Sequence, residues 1–516
     1  MFTQVGFWEA GSRGAAPGGG LGVSPKLLSP SPLHAACRKN LPLQIAGIRV
    51  RTQRFLMQRA ARDNLVLELR TTGMKNLFQR LRGLVLGRGE ESIYSHRQDG
   101  GYQLQDGGDQ RQLYTALDIG TEFAKAIIIE VQEDEGIVLG VGRHHQSYSH
   151  MSDGIVTDIA GVITNCNEAL VQAEQAAGGI VAPTAVIGIA GELVKGSSLT
   201  INKQRPQPAK AITPEELESI ISSAQQKQLK LARDRIAAEM GLSNVEVRLT
   251  NAAVISVRID GQVVSNPIGF KGRHFMLTLF SAFAPLMQLG ALETVAQGLD
   301  LTLVSIVAEP YALARCLSTN ASADSGGIFI DIGGGTTDIA LVRQGGIEET
   351  RMFALGGRTF TRRLAASKGL SIKQAEKLKL DYSDGQIKGS NRDEVQNILA
   401  PECQTWMDSV ELLIDELAKG QLLPPAIYLV GGGAGLPDLR QKLESFPWTE
   451  RLPFSHHPTI ELVQPEMVAS IFDPDHLLKN TQDITPMALA YQAIELQNEN
   501  NVLERALYRV IHSLHI

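Results

Sequence analysis

Two short segments of this chain carry the same order of residues. Each has an apolar strand ending in aspartate, then a glycine and threonine turn, then a second apolar strand. The first is Asp118-Ile119-Gly120-Thr121-Glu122-Phe123-Ala124-Lys125, between apolar runs at 113–118 and 126–131. The second is Asp331-Ile332-Gly333-Gly334-Gly335-Thr336-Thr337-Asp338, between 327–331 and 339–342. Apolar runs of this length flanking glycine read as hairpins. Their recurrence about 210 residues apart indicates a duplicated architecture rather than a short-period solenoid repeat.

The chemistry of the second segment is the more specific. Three consecutive glycines let the backbone turn tightly and approach a ligand without Cβ interference. Successive N–H groups in such a turn form a nest for phosphate oxygens, and Thr336 and Thr337 add hydroxyl donors. Asp331 at the strand end suits a Mg²⁺-bound water, since Mg²⁺ favours carboxylate plus water. In the first segment Gly120 and Thr121 are placed to face a terminal phosphate, with Asp118 as a second carboxylate near the metal. Lys125 on the returning strand reads equally as a phosphate partner or a solvated lysine. A third glycine run, Gly431-Gly432-Gly433-Ala434, follows the buried strand 426–430 and leads into a helix at 436–443. Such a loop can lie flat against an adenine ring and ribose.

The rest of the chain frames these sites. The 516 residues allow three or four domains or subdomains. Net charge is −6, from 49 basic and 55 acidic residues, which argues against a dedicated nucleic-acid binder. The charge is uneven: residues 1–88 hold 14 Lys/Arg against Glu9, Asp63 and Glu68. Residues 1–73 are Arg-rich and acid-poor, as transit peptides are, or represent an over-extended reading frame with Met74 as a start. Residues 74–88 place Leu77, Phe78, Leu81, Leu84 and Val85 on one helical face beside Lys75, Arg80, Arg82 and Arg88. That pattern suits an interfacial membrane helix or a helix docked on the protein itself. Residues 89–111 read as a polar linker. Cys37, Cys166, Cys316 and Cys403 show no paired spacing, so neither a zinc site nor a disulfide framework is expected, and a reducing cytosol is the simpler compartment. The uncharged run 275–292 contains Pro285, Gln288 and Gly290. It reads as a strand, a turn and a helix start rather than a membrane span.

Between 195 and 285 lies a small α+β unit. Thr213 is placed to N-cap a helix with Pro214 at its first position and Glu216 completing a capping box. The helix runs to about Met240, stopped by Gly241. Strands at 245–249, 254–259, 263–264 and 274–280 follow, with Asp260-Gly261 as a hairpin turn.

Taken together, D-I-G-T, D-I-G-G-G-T-T-D and V-G-G-G resemble the phosphate-1, phosphate-2 and adenosine motifs of the actin, DnaK-type chaperone and sugar-kinase superfamily. Ala308-Glu309-Pro310-Tyr311-Ala312-Leu313-Ala314 resembles its connecting helix, which implies that Glu309 helps place the attacking water. Ala375-Glu376-Lys377-Leu378-Lys379 resembles the nucleoside-side helix, which implies that Glu376 and Lys379 touch ribose or adenine. Within the superfamily, the chain resembles the FtsA family of bacterial cell-division proteins, with the PilM family of pilus assembly as a near relative. The segments 154–159, 188–191, 260–272 and 355–361 carry this, and the similarity spans about 112–495. Glu122 and Phe123 depart from the small polar residues common there.

The resemblance implies an α/β, two-lobed actin-like (ribonuclease H-like) ATPase fold with a small inserted α+β subdomain. The expected division is extension and linker 1–111, first lobe 112–194 and 286–324, insertion 195–285, second lobe 325–496, and linker with C-terminal helix 497–516. It implies ATP and Mg²⁺ between the lobes, with the nucleotide acting more as a conformational latch than as a fuel. Asp118, Asp331 and Glu309 would be the catalytic group, and Asp118 and Asp331 would hold the metal through water. It also implies self-association and an FtsZ-like partner at the cytoplasmic face of the membrane. A PilM-like scaffold, a small-molecule kinase and a chaperone are the alternatives, the last disfavoured because only about 20 residues follow the core. In 501–516, Val502, Leu503, Ala506, Leu507, Val510, Ile511 and Leu514 form an apolar stripe. It suits an interfacial helix, or a terminal helix packed on the body or on a second copy.

Overall fold

The computed structural model describes residues 111–317, 326–343, 346–445, 447–468, 470–497 and 502–514. The helix expected at 74–88 and nearly all of the 89–111 linker lie outside these residues.

The chain enters through strands β1 (Gln112–Ile119), β2 (Phe123–Gln132) and β3 (Glu135–His145), an antiparallel meander. A short ribbon, β4 (Met151–Ser152) and β5 (Ile155–Val156), leads to helix α1 (Ile159–Ala176). Asp158 caps this helix by accepting from Gly161 N–H at 3.1 Å. The helix lies unusually close to β3, because a Cβ at Gly140 or Gly142 would overlap the Ala173 and Ala169 carbonyls. Strand β6 (Thr184–Ile189) then pairs parallel with β1.

The inserted unit follows: β7 (Lys195–Gln204), α2 (Pro214–Met240), β8 (Val247–Ile259), β9 (Gln262–Val263) and β10 (His274–Pro285). Its local signals hold. Thr213 accepts from Glu216 N–H, Gly241 closes the helix at φ 65°, and Asp260 and Gly261 turn the hairpin at φ 48° and 86°. The reciprocal half of the capping box is replaced. Arg205, nearly buried, takes both Glu216 oxygens at 2.8 Å. Strand β10 runs on to Pro285, and helix α3 (Leu286–Gly298) begins at the next residue, so 275–292 is strand then helix with no separate turn. No helix among the described residues is long and apolar enough to cross a membrane.

Strand β11 (Thr302–Ala308) pairs with β6 and passes into α4 (Glu309–Leu317). The second hairpin is β12 (Gly327–Ile332) and β13 (Thr337–Arg343), extended by β14 (Gly346–Phe353). Helices α5 (Gly357–Lys368), α6 (Ile372–Ser383) and α7 (Ser390–Ala418) follow. Strand β15 (Ala426–Val430) pairs parallel with β12; helix α8 (Pro437–Glu444) and β16 (Thr459–Leu462) complete this part.

The strands form two large sheets, ordered β11-β6-β1-β2-β3-β17 and β16-β15-β12-β13-β14-β7-β10-β8-β9, where β17 is Ile471–Phe472. The sheet order joins the inserted unit to the second sheet. Strand β7 meets β14 at Ser197 and Glu349, with Gly196 N–H donating to Thr350 Oγ1 at 3.1 Å, so the second sheet continues into it. The second lobe also ends before 496. Strand β17 pairs with β3, and helix α9 (Ile484–Glu495) buries Ile484, Met487, Leu489 and Ile494 in the first lobe's core. The returning segment is therefore a strap that ties the lobes together.

Helix α10 (Val502–Leu514) has the expected amphipathic stripe, and part of it is covered. Leu503, Ala506, Leu507 and Val510 are buried with Leu217, Ile220, Ile221, Val257 and Phe275 of the inserted unit. Arg509 pairs with Glu218 at 2.8 Å at the rim. The packed alternative for this helix is the arrangement present here.

Candidate functional site

The two hairpins are built alike. Gly120 N–H donates to Phe123 O at 3.1 Å, and Gly333 N–H donates to Thr336 O at 2.9 Å. Each closing bond starts two residues after the strand-end aspartate. Cross-strand pairing then sets Asp118 opposite Lys125, and Asp331 opposite Asp338. One geometry thus carries an ion pair in the first lobe and two carboxylates in the second. The hairpin tips meet: a Cβ on Gly334 would lie 2.8 Å from Glu122 Cβ, and one on Gly335 would lie 3.1 Å from Thr121 Oγ1. Glycine is needed at both places because the opposite tip fills the space.

Both tips open on one cavity of about 690 Å³. Its wall contains Asp118, Gly120, Thr121, Lys125, Glu309, Asp331, Gly333, Gly334, Thr336, Glu376, Lys379, Gly431, Gly432 and Gly433. Gly335 touches the other hairpin instead. Ala434 is buried in the second lobe's core, and Thr337 faces that core. Thr337 Oγ1 donates to Leu355 O at 2.7 Å and accepts from Trp406 Nε1 at 3.0 Å. Its hydroxyl is committed to structure. Strand alternation was the available signal, since adjacent residues of β13 point to opposite faces. Thr336 lies on the cavity side and donates to Asp338 Oδ2 at 3.1 Å. Thr121 Oγ1 accepts from Gly154 N–H at 3.3 Å, which leaves its own proton available to a ligand.

Charges in the cavity are arranged by burial. Asp118 is 3% exposed and pairs with Lys125 Nζ at 2.8 Å; Lys125 also donates to Gln482 O at 2.8 Å. Asp331 Oδ2 accepts from Thr485 Oγ1 at 2.7 Å. Glu309 opens α4 and packs on Gly188, whose missing side chain leaves room for the carboxylate. Burial holds the Glu309 carboxyl well above its usual range, and Asp118, Asp331 and Asp338 add to the effect. Burial also raises Asp331, against the Thr485 bond and Lys125. Burial, then Asp331, pushes Asp338 up to about 7. Among the described residues no group of three or more His, Cys, Asp or Glu side chains could hold a metal by itself. The pair Asp118 and Asp331 fits a Mg²⁺ held mostly by water and phosphate oxygens.

The Asp338 shift gives a pH dependence. An unfolded aspartate titrates near about 4. Between there and about 7 the native state holds a proton that the unfolded chain has lost. This group's contribution to stability is therefore complete below about 4 and falls as pH rises to about 7. In nucleotide-free protein with chelator, Asp338→Asn should flatten the fall in melting temperature between pH 5 and pH 8. An unchanged slope would assign the effect elsewhere.

Another wall of the cavity is built by α6 and the glycine loop. Lys379 Nζ meets Glu376 Oε2 at 2.8 Å, Gly357 O at 3.1 Å and Thr361 Oγ1 at 3.0 Å. This joins α5 to α6 beside the cavity. Ser371 and Gln374 form a capping box that fixes the start of α6. Residues that sequence reasoning missed come from distant segments. Asn480, Thr481, Gln482 and Thr485 line the cavity from the strap. Gly431 N–H donates to Thr481 O at 3.0 Å, and Thr481 Oγ1 donates back to Gly431 O at 2.8 Å. Arg358 completes this group.

Comparison with known proteins places this geometry. The family model described as "Cell division protein FtsA" matches residues 328–506. The cell division protein FtsA of Streptococcus pneumoniae serotype 2 is 24% identical over 345 residues, 63% of this chain and 72% of that protein. That of Pseudomonas aeruginosa is 23% identical over 368 residues, 67% and 84%. That of Bacillus subtilis is 24% identical over 351 residues, 64% and 75%. Among solved structures, a chain of the "PilM-PilN type IV pilus biogenesis complex" matches 74% of this chain and 98% of its own length, with a TM-score of 0.54 and 19% identity. That likeness concerns the fold. With its paired aspartate hairpins facing one cavity, the chain is similar in sequence to the cell division protein FtsA and has the actin-like ATPase fold.

Proposed function

We propose that this protein binds ATP with Mg²⁺ in the cavity between its two hairpins and acts as an actin-like assembly protein of cell division. In this role it joins FtsZ-type filaments to the cytoplasmic face of the membrane. The observation that carries the nucleotide reading is the pair of hairpins, closed by equivalent bonds and lining a single cavity. The hairpin tips at Thr121 and Gly334, beyond the closing bonds of Gly120 and Gly333, suit phosphate oxygens. Asp118 and Asp331 orient water on the metal side, while Glu376 and Lys379 border the nucleoside side. Bound Mg²⁺ would neutralise phosphate charge. Burial, with Asp118, Asp331 and Asp338 nearby, disfavours the charged form of Glu309, and bound cations would favour it. Such a group makes hydrolysis conditional on correct loading, which suits a latch more than a motor.

Membrane contact, in this reading, uses α10 after it leaves the inserted unit, since its apolar residues Leu503, Leu507 and Val510 are now covered. Deleting residues 502–516 should abolish co-sedimentation with anionic phospholipid vesicles. Retention of the truncated protein would move the anchor to residues 74–88. The division role is tested by co-sedimentation with FtsZ filaments in ATP. Failure to bind them, with binding to a pilus platform component instead, would replace the division reading by the PilM-like one.

A further inference from the structure

Arg358 is the second residue of α5 and is 5% exposed. Its backbone N–H donates to Gly334 O at 2.8 Å, which fixes it to the second hairpin. Its side chain crosses to the first lobe. There Nε donates to Glu122 Oε2 at 2.6 Å, Nη2 donates to Thr121 O at 2.5 Å, and Nη1 donates to Met151 O at 3.3 Å. The Tyr148 ring lies 4.0 Å from the guanidinium carbon. One residue thus grips both phosphate hairpins from opposite lobes. Glu122, the departure from the small polar residue common at this place, supplies the carboxylate, and His145 Nε2 sits 2.7 Å from its other oxygen. Glu122 and Arg358 both line the cavity, beside Gly334.

A terminal phosphate seated on these amides would bring negative charge next to the Glu122 carboxylate. Arginine binds phosphate and carboxylate through the same planar fork, and two anions in a confined site compete for one cation. The other cations in the cavity wall are each paired within their own element, Lys125 with Asp118 in the first hairpin and Lys379 with Glu376 in α6, whereas the partner of Arg358 lies on the opposite hairpin.

We propose that Glu122 and Arg358 form a phosphate-gated latch between the lobes, in which the terminal phosphate takes Arg358 from Glu122. Arg358 is then the residue that separates a triphosphate from a diphosphate, and Glu122 the charge that sets the threshold. With no nucleotide the carboxylate holds the tips together. With a triphosphate the pair opens, and the energy of the new contact is conveyed to the first lobe through the carbonyls of Gln146, 3.5 Å from Nη2, and Met151, which Arg358 also holds. This inference rests on the ATP reading above.

The test uses the full chain and titrations with ATP and ADP, each with Mg²⁺. Glu122→Gln keeps an acceptor for Arg358 and removes the charge, and should raise the ATP-over-ADP preference by about tenfold or more. Arg358→Gln should bring that preference close to one, and Arg358→Lys should restore part of it. Thermal melts establish that each variant folds; if Arg358→Gln does not, Glu122→Gln and Arg358→Lys decide. A preference that Glu122→Gln leaves unchanged, or variants that weaken both nucleotides equally, would overturn the latch and leave a structural clamp. Wild-type protein that binds neither nucleotide would overturn the proposed function and the latch with it.

Discussion

Asp331→Ala should yield a folded protein whose affinity for ATP with Mg²⁺ has dropped at least about 100-fold, or some 2.7 kcal/mol. The carboxylate lies at the end of β12 on the cavity wall, opposite Asp338, and in the proposed function it holds a metal-bound water. Its loss should cost little stability. The ionised form is disfavoured by burial, so its removal relieves a desolvation penalty. That relief offsets the Thr485 hydrogen bond that disappears, a contribution of about 1 kcal/mol. The melting temperature should therefore stay close to that of the wild type while titration calorimetry shows no heat of binding. Unchanged nucleotide affinity would remove Asp331 from the site and with it the metal assignment.

Gly431→Ala should fail in both respects. Gly431 has φ 84°, a conformation that costs a residue with Cβ roughly 1–2 kcal/mol. The added carbon would also overlap Asp331 Oδ1 and lie 2.6 Å from Ile332 O. Either β12 or the glycine loop must move, and Asp331 moves with it. A total loss of about 3 kcal/mol or more is expected from strain plus overpacking, together with lost nucleotide binding. Gly369→Ala is the control. It has φ 64° with nothing within 4 Å of its Cβ, so only the backbone cost applies. Equal melting temperatures for the two variants would show that the contact with Asp331 is unimportant.

The two variants mark what could and could not be read in advance. The hairpin strands, the Asp260-Gly261 turn and the Thr213 and Gly241 helix ends were legible because each depends on residues within a few positions. Periodicity, capping and left-handed turns are local physics. The cavity membership of Asp118, Thr121, Asp331 and Glu309 followed from motif order together with the family resemblance. The inward turn of Thr337 was legible in principle from strand alternation, but a threonine doublet after three glycines drew both hydroxyls to the same ligand. The 29-residue helix α7 carries Pro401 internally and no strong end signals, so nothing local announced its extent. Its buried Trp406 is nevertheless what turns Thr337 away from the cavity.

The amino-acid sequence by itself determined the secondary elements that carry strong local signals, the duplicated hairpin and the kinds of group that could meet a nucleotide. Only the tertiary structure decided that residues 471–495 return to the first lobe, that Thr485 meets Asp331, that Arg358 reaches Glu122, and that α10 lies on the inserted unit. The reason is physical. Backbone hydrogen bonds and periodic apolar faces are set by neighbours in the chain. A salt bridge between residues 236 positions apart exists only after two sheets have packed, and burial then fixes its strength and its partners.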